Sequence, residues 1–418
     1  MINNECQINI ITSSTQCELC FSGHNDFMFD LLNCFVTGTG QTGKPKIECE
    51  QKRTKELLVK LNSFAESCED KELKNSAFKI YDFIRDLKDN ENFLILPVFG
   101  GLDKQYLDYL KFKLQSEELN IPLNDFIEQY NSLMGPINEN YDIYLFGTKY
   151  CNKVEGDTSK EGRTCRFCGR VSPNASFSKK AHSISEALGN KTIITPDECD
   201  DCNKSFGDTI ENDFIEYISL FRTIRGIQGK NGVPQIGSLK KKETSLSYTP
   251  NSVNVFTFDT ISEFPGEITL PSTSFNPQNV YRALCKYALS VLPASLLSNF
   301  TETIKWIRSD KSLTKVPPVA RCISPQVNQQ PTITVFVRKV NSYDLPYTVA
   351  FLNCCGLDFV YIVPLASNDQ KKFDTQSEYD AFWNKFLFKD NKFFCFETLC
   401  ADQKIKFSRK IKLTQIKR

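Results

Sequence analysis

Two Cys-x-x-Cys pairs, Cys165/Cys168 and Cys199/Cys202, limit this chain more than any other feature. Thiolates at that spacing can close a tetrahedral Zn2+ site, one pair leaving a tight turn and the other opening a helix. Four sulfurs fill the coordination shell of zinc, so the metal they hold is expected to be structural. Any reactive group must then stand nearby. His182, one of only two histidines in the chain, lies between the pairs, and Asn203 follows the last thiolate directly.

The chain has 17 cysteines, an odd number, in 418 residues. The N-terminal MINNECQINIITSS shows no basic stretch leading into an apolar one, so no signal peptide is expected. No run approaches the ~18 apolar residues that cross a bilayer. A soluble, cytoplasmic protein follows as the expectation, with no membrane partner. In a reducing compartment four cysteines serve zinc and most others act as small buried hydrophobes. The net charge of +1 excludes a global basic field. Two local clusters remain: Lys240–Lys242, and the last 15 residues, KIKFSRKIKLTQIKR, with seven Lys/Arg and no acid. Such patches contact phosphates, although lysine on an edge strand also blocks aggregation.

Hydrophobic periodicity predicts an α+β, multidomain chain. Residues 1–150 form an α+β region with helices over KRTKELLVKLNSFAESC and KNSAFKIYDFIRDLKD, a short buried strand in FLILPVFGG (Phe93–Gly101) and a strand at DIYLFGTKY. A zinc module is expected over 151–235. Its helix after Cys199 carries Phe206, Ile210, Phe214, Ile218 and Phe221 on one face. Gly226–Ser252 reads as a linker with turns. Residues 236–418 form a C-terminal α+β domain, with a helix over NPQNVYRALCKYALSVL, a run of antiparallel strands and the basic tail. The glycine-rich GTGQTGKP (Gly38–Pro45) approximates a phosphate loop but has Pro45 where a metal-binding hydroxyl is needed, which favours a simple turn. Cys17, Cys20, His24 and Cys34 have the spacing of a second zinc site, against the default of buried cysteines beside a surface histidine.

Hydrolysis of a phosphodiester needs a base for water, a metal to neutralise developing charge and a group to orient the base. Histidine suits the first role, and Mg2+ prefers oxygen ligands from Asn, Asp or Glu. The segments CRFCG (Cys165–Gly169), KAHSISEALGN (Lys180–Asn190), CDDCN (Cys199–Asn203) and FGDTIE (Phe206–Glu211) together resemble the HNH endonucleases of the ββα-metal, or His-Me finger, type. The nearest variant is the one built on a zinc-binding CxxC…CxxC frame. The likeness covers about 60 residues of the chain.

That resemblance implies a DNA-cleaving, metal-dependent endonuclease. His182 takes the place of the general base, Asn190 that of the middle Asn that orients it, and Asn203 that of a metal ligand on the helix. Glu211 matches an acidic position that supports either the catalytic Mg2+ or Mn2+ or the helix itself. The chain departs from many members at Ala181, where they carry an acidic residue or histidine, and Glu186 or Asp208 can substitute. The large remainder suggests a regulated, anti-phage defence nuclease. An activator or partner protein would then act through residues 1–150, and an oligomer fits as well. Alternatives are a non-catalytic, zinc-stabilised nucleic-acid-binding protein and a nuclease directed at RNA.

Overall fold

The computed structural model describes residues 5–13, 16–22, 25–39, 45–99, 104–147, 152–250, 252–257, 266–324, 328–386 and 392–412. The chain divides into two units, Met1–Gly135 and Pro136–Arg418. Both mix helices with antiparallel strands, so the α+β, multidomain expectation holds. Among the described residues no helix is long and apolar enough to cross a membrane.

In chain order the first unit contains β1 (Glu5–Ile11), β2 (Gln16–Ser22), α1 (Asn25–Asn33), β3 (Val36–Thr39), β4 (Pro45–Ile47) and β5 (Glu50–Lys52). There follow α2 (Lys55–Ser67), α3 (Lys71–Arg85), β6 (Asn92–Phe99), α4 (Lys104–Leu119) and α5 (Leu123–Asn140). The division between units falls inside α5, at Pro136. Ile8, Ile10 and Ile11 of β1 are buried in the middle of a sheet ordered β2-β1-β6-β5. The two predicted helices begin where Thr54 and Asp70 side chains accept from backbone N–H groups of their first turns. Gly38 and Thr39 of the glycine-rich stretch lie in β3, and its Pro45 opens β4, which pairs with β3. A strand follows it where a phosphate loop needs a helix N-terminus. Residues 40–44 lie outside the described residues, as do His24 and the Cys20 side chain of the second cysteine cluster.

The second unit continues with β7 (Tyr141–Phe146), β8 (Ala181–His182), β9 (Ile194–Thr195), α6 (Asp200–Asp208), α7 (Ile210–Ile224), β10 (Ser245–Thr249), β11 (Ser252–Phe256) and β12 (Glu267–Phe275). Then come α8 (Pro277–Val291), α9 (Thr301–Ile307), β13 (Val319–Ile323), β14 (Thr332–Arg338), β15 (Thr348–Cys354) and β16 (Leu357–Ile362). The last elements are α10 (Gln376–Trp383), β17 (Cys395–Glu397) and β18 (Ile405–Lys412). Six strands form an antiparallel sheet ordered β17-β13-β16-β15-β14-β7.

Strand pairing and packing run across the expected limits at 150/151 and 235/236. β7 pairs with β14, which ties residues 141–146 to the C-terminal sheet. One apolar core joins Phe167, Ile184, Phe206 and Phe214 of the zinc region to Tyr281, Leu284 and Tyr287 of α8 and to Val335, Leu352 and Phe359 of the sheet. Helix α8 is buried along its whole length except at Asn279, so it needs apolar cover on every side. The zinc region supplies part of that cover.

Two more local expectations change. The stretch read as a linker holds the β10–β11 hairpin, and its Ile236 and Leu246 pack with Leu270, against Leu220 and Ile224 of α7. The helix expected after Cys199 breaks at Thr209, whose backbone is non-helical and whose hydroxyl donates to the Ser205 carbonyl at 2.6 Å. The basic tail forms β18 against β12. Lys404, Lys406, Lys410 and Lys412 are exposed there, and residues 413–418 lie outside the described residues.

Candidate active site

The zinc knuckle is a tight turn in which the Cys165 N–H donates to the Arg170 carbonyl and the Gly169 N–H to the Cys165 carbonyl, both at 2.9 Å. Gly169 takes a left-handed φ of 71°, which lets the turn close without a Cβ penalty. The second pair of thiols sits at the start of α6, with Cys199 as its N-terminal flanking residue. All four Sγ atoms lie within 4.8 Å of one another. Cys165–Cys202 and Cys168–Cys199 are separated by 3.9 and 3.7 Å. Zn–S bonds of about 2.3 Å in a tetrahedron require sulfurs about 3.8 Å apart. The donor set therefore fits zinc in both number and spacing.

Charge around the knuckle is arranged for thiolates. The sulfur of Cys202, 3.9 Å away, and backbone N–H groups, that of Cys199 among them, hold the Cys165 thiol below its ordinary range against the effect of burial. The Arg170 guanidinium lies 3.5 Å from Cys168 Sγ and 2.7 Å from Asp201. It places a cation beside a metal–thiolate group that would carry net negative charge. Arg166, on the same turn, points inward. Its side chain is fully buried, bonds Asp197 at 2.6 Å and donates to the carbonyls of Leu289, Ser290 and Leu292 at the end of α8. A knuckle residue thus caps the C-terminus of the central helix, where unsatisfied carbonyls concentrate.

His182 stands on β8, whose two residues pair with β9: Ala181 opposite Thr195 and His182 opposite Ile194. Asn190 closes the loop between them. It is buried, donates through Nδ2 to the carbonyls of Ile184 (2.7 Å) and Ile193 (2.9 Å), and accepts from the N–H groups of Thr192 and Ile193. All four hydrogen-bonding positions of the amide are filled, which clamps both ends of the loop. Gly189, at a φ of 90°, ends the short 3-10 turn Glu186–Leu188, and a Cβ there would strike the Gln329 carbonyl. Gly189 is thus required by its left-handed backbone and by the close approach of a carbonyl far along the chain, and Asn190 by its four local hydrogen bonds.

On the other side the hairpin meets α6. The Asp200 carboxylate accepts from the Ser176 and Ser178 hydroxyls and from the N–H groups of Ser178 and Lys179. These bonds hold the approach to β8 against the first helical turn and set the Asp200 pKa down to about 2 despite partial burial. Asn203 is half-buried in that turn, and its side chain makes no hydrogen bond to any described residue. The His182 imidazole likewise makes none. Its pKa is lowered from the ordinary histidine value, mainly by partial burial, with Glu186 opposing and Lys286 reinforcing that effect. A neutral imidazole on this strand can accept a proton.

Glu211, in the first turn of α7, is buried and lies 3.0 Å from the Lys286 ammonium of α8. Glu198 lies 3.4 Å from the same nitrogen. Burial lifts Glu198 to about 7 against the pull of Lys286. For Lys286 burial acts downward, and the two carboxylates outweigh it. Among the described residues, the four cysteines are the one group of three or more His, Cys, Asp or Glu side chains close enough to share an ion. His182, Glu186, Asp208 and Glu211 do not form a second one. Lys286 itself was invisible to sequence reasoning, since a lysine inside an apolar helical stretch carries no motif.

Residues 165–219 match the sequence profile of the HNH endonuclease family. No curated protein and no solved structure matches the chain. The matched stretch spans both thiol pairs, the hairpin with His182 and Asn190, α6 with Asn203 and the part of α7 that carries Glu211. The central segment of this chain is therefore similar to the HNH endonuclease family, and it carries four clustered thiols at zinc spacing inside the match.

Proposed function

We propose that the protein is a metal-dependent endonuclease that hydrolyses DNA phosphodiester bonds. The observation that carries this reading is the family match across a hairpin whose half-buried His182 has no competing hydrogen bond among the described residues. His182 is assigned as the general base that takes a proton from water. Asn190 orients it through the backbone of the loop, and the free Asn203 side chain is assigned as an oxygen ligand for the catalytic ion. When bound, Mg2+ or Mn2+ would neutralise charge building on the scissile phosphate. The absence of an acidic residue at Ala181 leaves few protein ligands, which suits an ion that keeps several waters and takes phosphate oxygens. Glu211, already paired with Lys286, is assigned to the support of α7.

The exposed lysines of β18 and Lys240–Lys242 would add phosphate contacts that a module of this size cannot provide alone. The first unit is assigned a regulatory task in an anti-phage defence role, since an unrestrained nuclease would damage its own host. Purified full-length protein that degraded plasmid freely, with no activator, would remove that regulatory part.

The test compares wild type with His182→Ala on supercoiled plasmid and on single-stranded RNA, with Mg2+ or Mn2+ and an EDTA control. DNA cleavage that needs metal and falls about 10²–10⁴-fold in the variant is the expected result. Cleavage of RNA alone would reassign the substrate. Equal activity of the two proteins would remove His182 from its role.

A further inference from the structure

We infer that Lys286, on α8 and beyond the stretch that matches the HNH family, is a positioning residue for the His182 strand. The inference rests on the nuclease reading of that strand. Lys286 is fully buried, and its Nζ donates to the backbone carbonyl of His182 at 3.1 Å and faces that of Ser183 at 3.4 Å. The same nitrogen pairs with Glu211 at 3.0 Å and Glu198 at 3.4 Å. One ammonium therefore joins four separate pieces of chain: the base strand, the residue before zinc ligand Cys199, the first turn of α7 and the buried helix α8.

The need for such a joint follows from how little else holds the strand. β8 has only two residues, and the His182 ring makes no hydrogen bond to any described residue. Its place is set by its own backbone. Asn190 fixes the loop beyond it through Ile184 and Ile193, and Lys286 fixes the strand itself through the His182 carbonyl. A buried ammonium costs several kcal/mol unless paired, so a lysine serving only to fill space would be worse than methionine. Two carboxylates offset that cost, and the hydrogen bond to His182 is what a methionine could not provide. A displacement of about 1 Å at a reacting group can lower a rate about 10²-fold. The C-terminal region is thus part of the nuclease site, and the module cannot be cut away from α8 without loss.

The experiment uses the full-length, zinc-loaded chain. Removing the lysine alone strands two buried carboxylates, so the informative variant is K286M/E198Q/E211Q, which removes all three charges together. The readouts are zinc content, kcat and KM on plasmid, and the 13Cε1 resonances of the chain's two histidines. The expected variant keeps its zinc and a KM within about twofold, loses about 10- to 100-fold in kcat, and shows a displaced His182 resonance. A zinc-loaded variant with wild-type kcat and an unmoved His182 resonance would overturn the inference. If the wild type cleaves no nucleic acid, the nuclease reading falls by itself, and the resonance alone decides whether Lys286 positions His182.

Discussion

Two charged assemblies meet at the start of α6, at adjacent residues Cys199 and Glu198. The zinc knuckle is built from Cys165, Cys168, Cys199 and Cys202, all inside the family match, with Arg170 as an exposed counter-charge. The Lys286 assembly draws on residues 182, 183, 198 and 211 and takes its cation from α8. A metal imposes its spacing on the chain, because four sulfurs must reach one point from two short turns. A buried ion pair imposes none, because any element packed alongside can supply the partner. The first kind of assembly is portable, and the second ties the module to its host.

The largest effect should come from breaking the portable one. Cys202→Ser, or prolonged chelation, is expected to abolish zinc retention and metal-dependent cleavage together, since structural zinc in small domains contributes about 10–16 kcal/mol. Zinc content and thermal unfolding measure this. A chelated protein with unchanged unfolding would show that the shared core, and not the metal, holds the knuckle.

The join to the host is tested by Arg166→Met. It leaves Asp197 and the α8 carbonyls without their buried donor, and a loss of about 3–5 kcal/mol is expected. Denaturant unfolding should show that loss with zinc still bound. Loss of zinc without loss of global stability would mean that the knuckle and α8 are energetically separate.

The smallest effect concerns pH. Partial burial favours the neutral imidazole of His182, so its folded pKa lies below the unfolded value of about 6.5. Neutral His182 is the competent base, so the acid limb of kcat/KM is expected to have its midpoint below about pH 6.5. The same shift makes the folded state bind fewer protons in that window, so stability contributed by this group rises with pH through it and is lost on acidification. A midpoint above about pH 7 would indicate that Glu186 governs the ring and that burial does not.

Much of the site was legible because its residues obey local rules. Zinc spacing marks the cysteines, and the apolar face Phe206–Ile210–Phe214–Ile218 marks the helix, all four being buried. The break at Thr209 was not legible, because the apolar spacing runs through it unchanged. Nor was the joining of the zinc region to the C-terminal sheet. Gly226–Ser252 carries the glycines and proline of a linker, yet its Leu246 and Ile236 are buried against α7.

By itself the amino-acid order determined the thiol frame, the hairpin residue Asn190 and the likeness to the HNH family over the central segment, since each depends on spacing or hydrogen bonds among residues near in sequence. Tertiary structure alone decided that Arg166 caps α8, that Glu211 faces Lys286, and that the His182 carbonyl takes its hydrogen bond from a residue about a hundred positions away. The physical reason is the burial of α8. A helix enclosed on every side must find partners for its few polar groups wherever the fold brings them, and no local spacing in the chain records where that is.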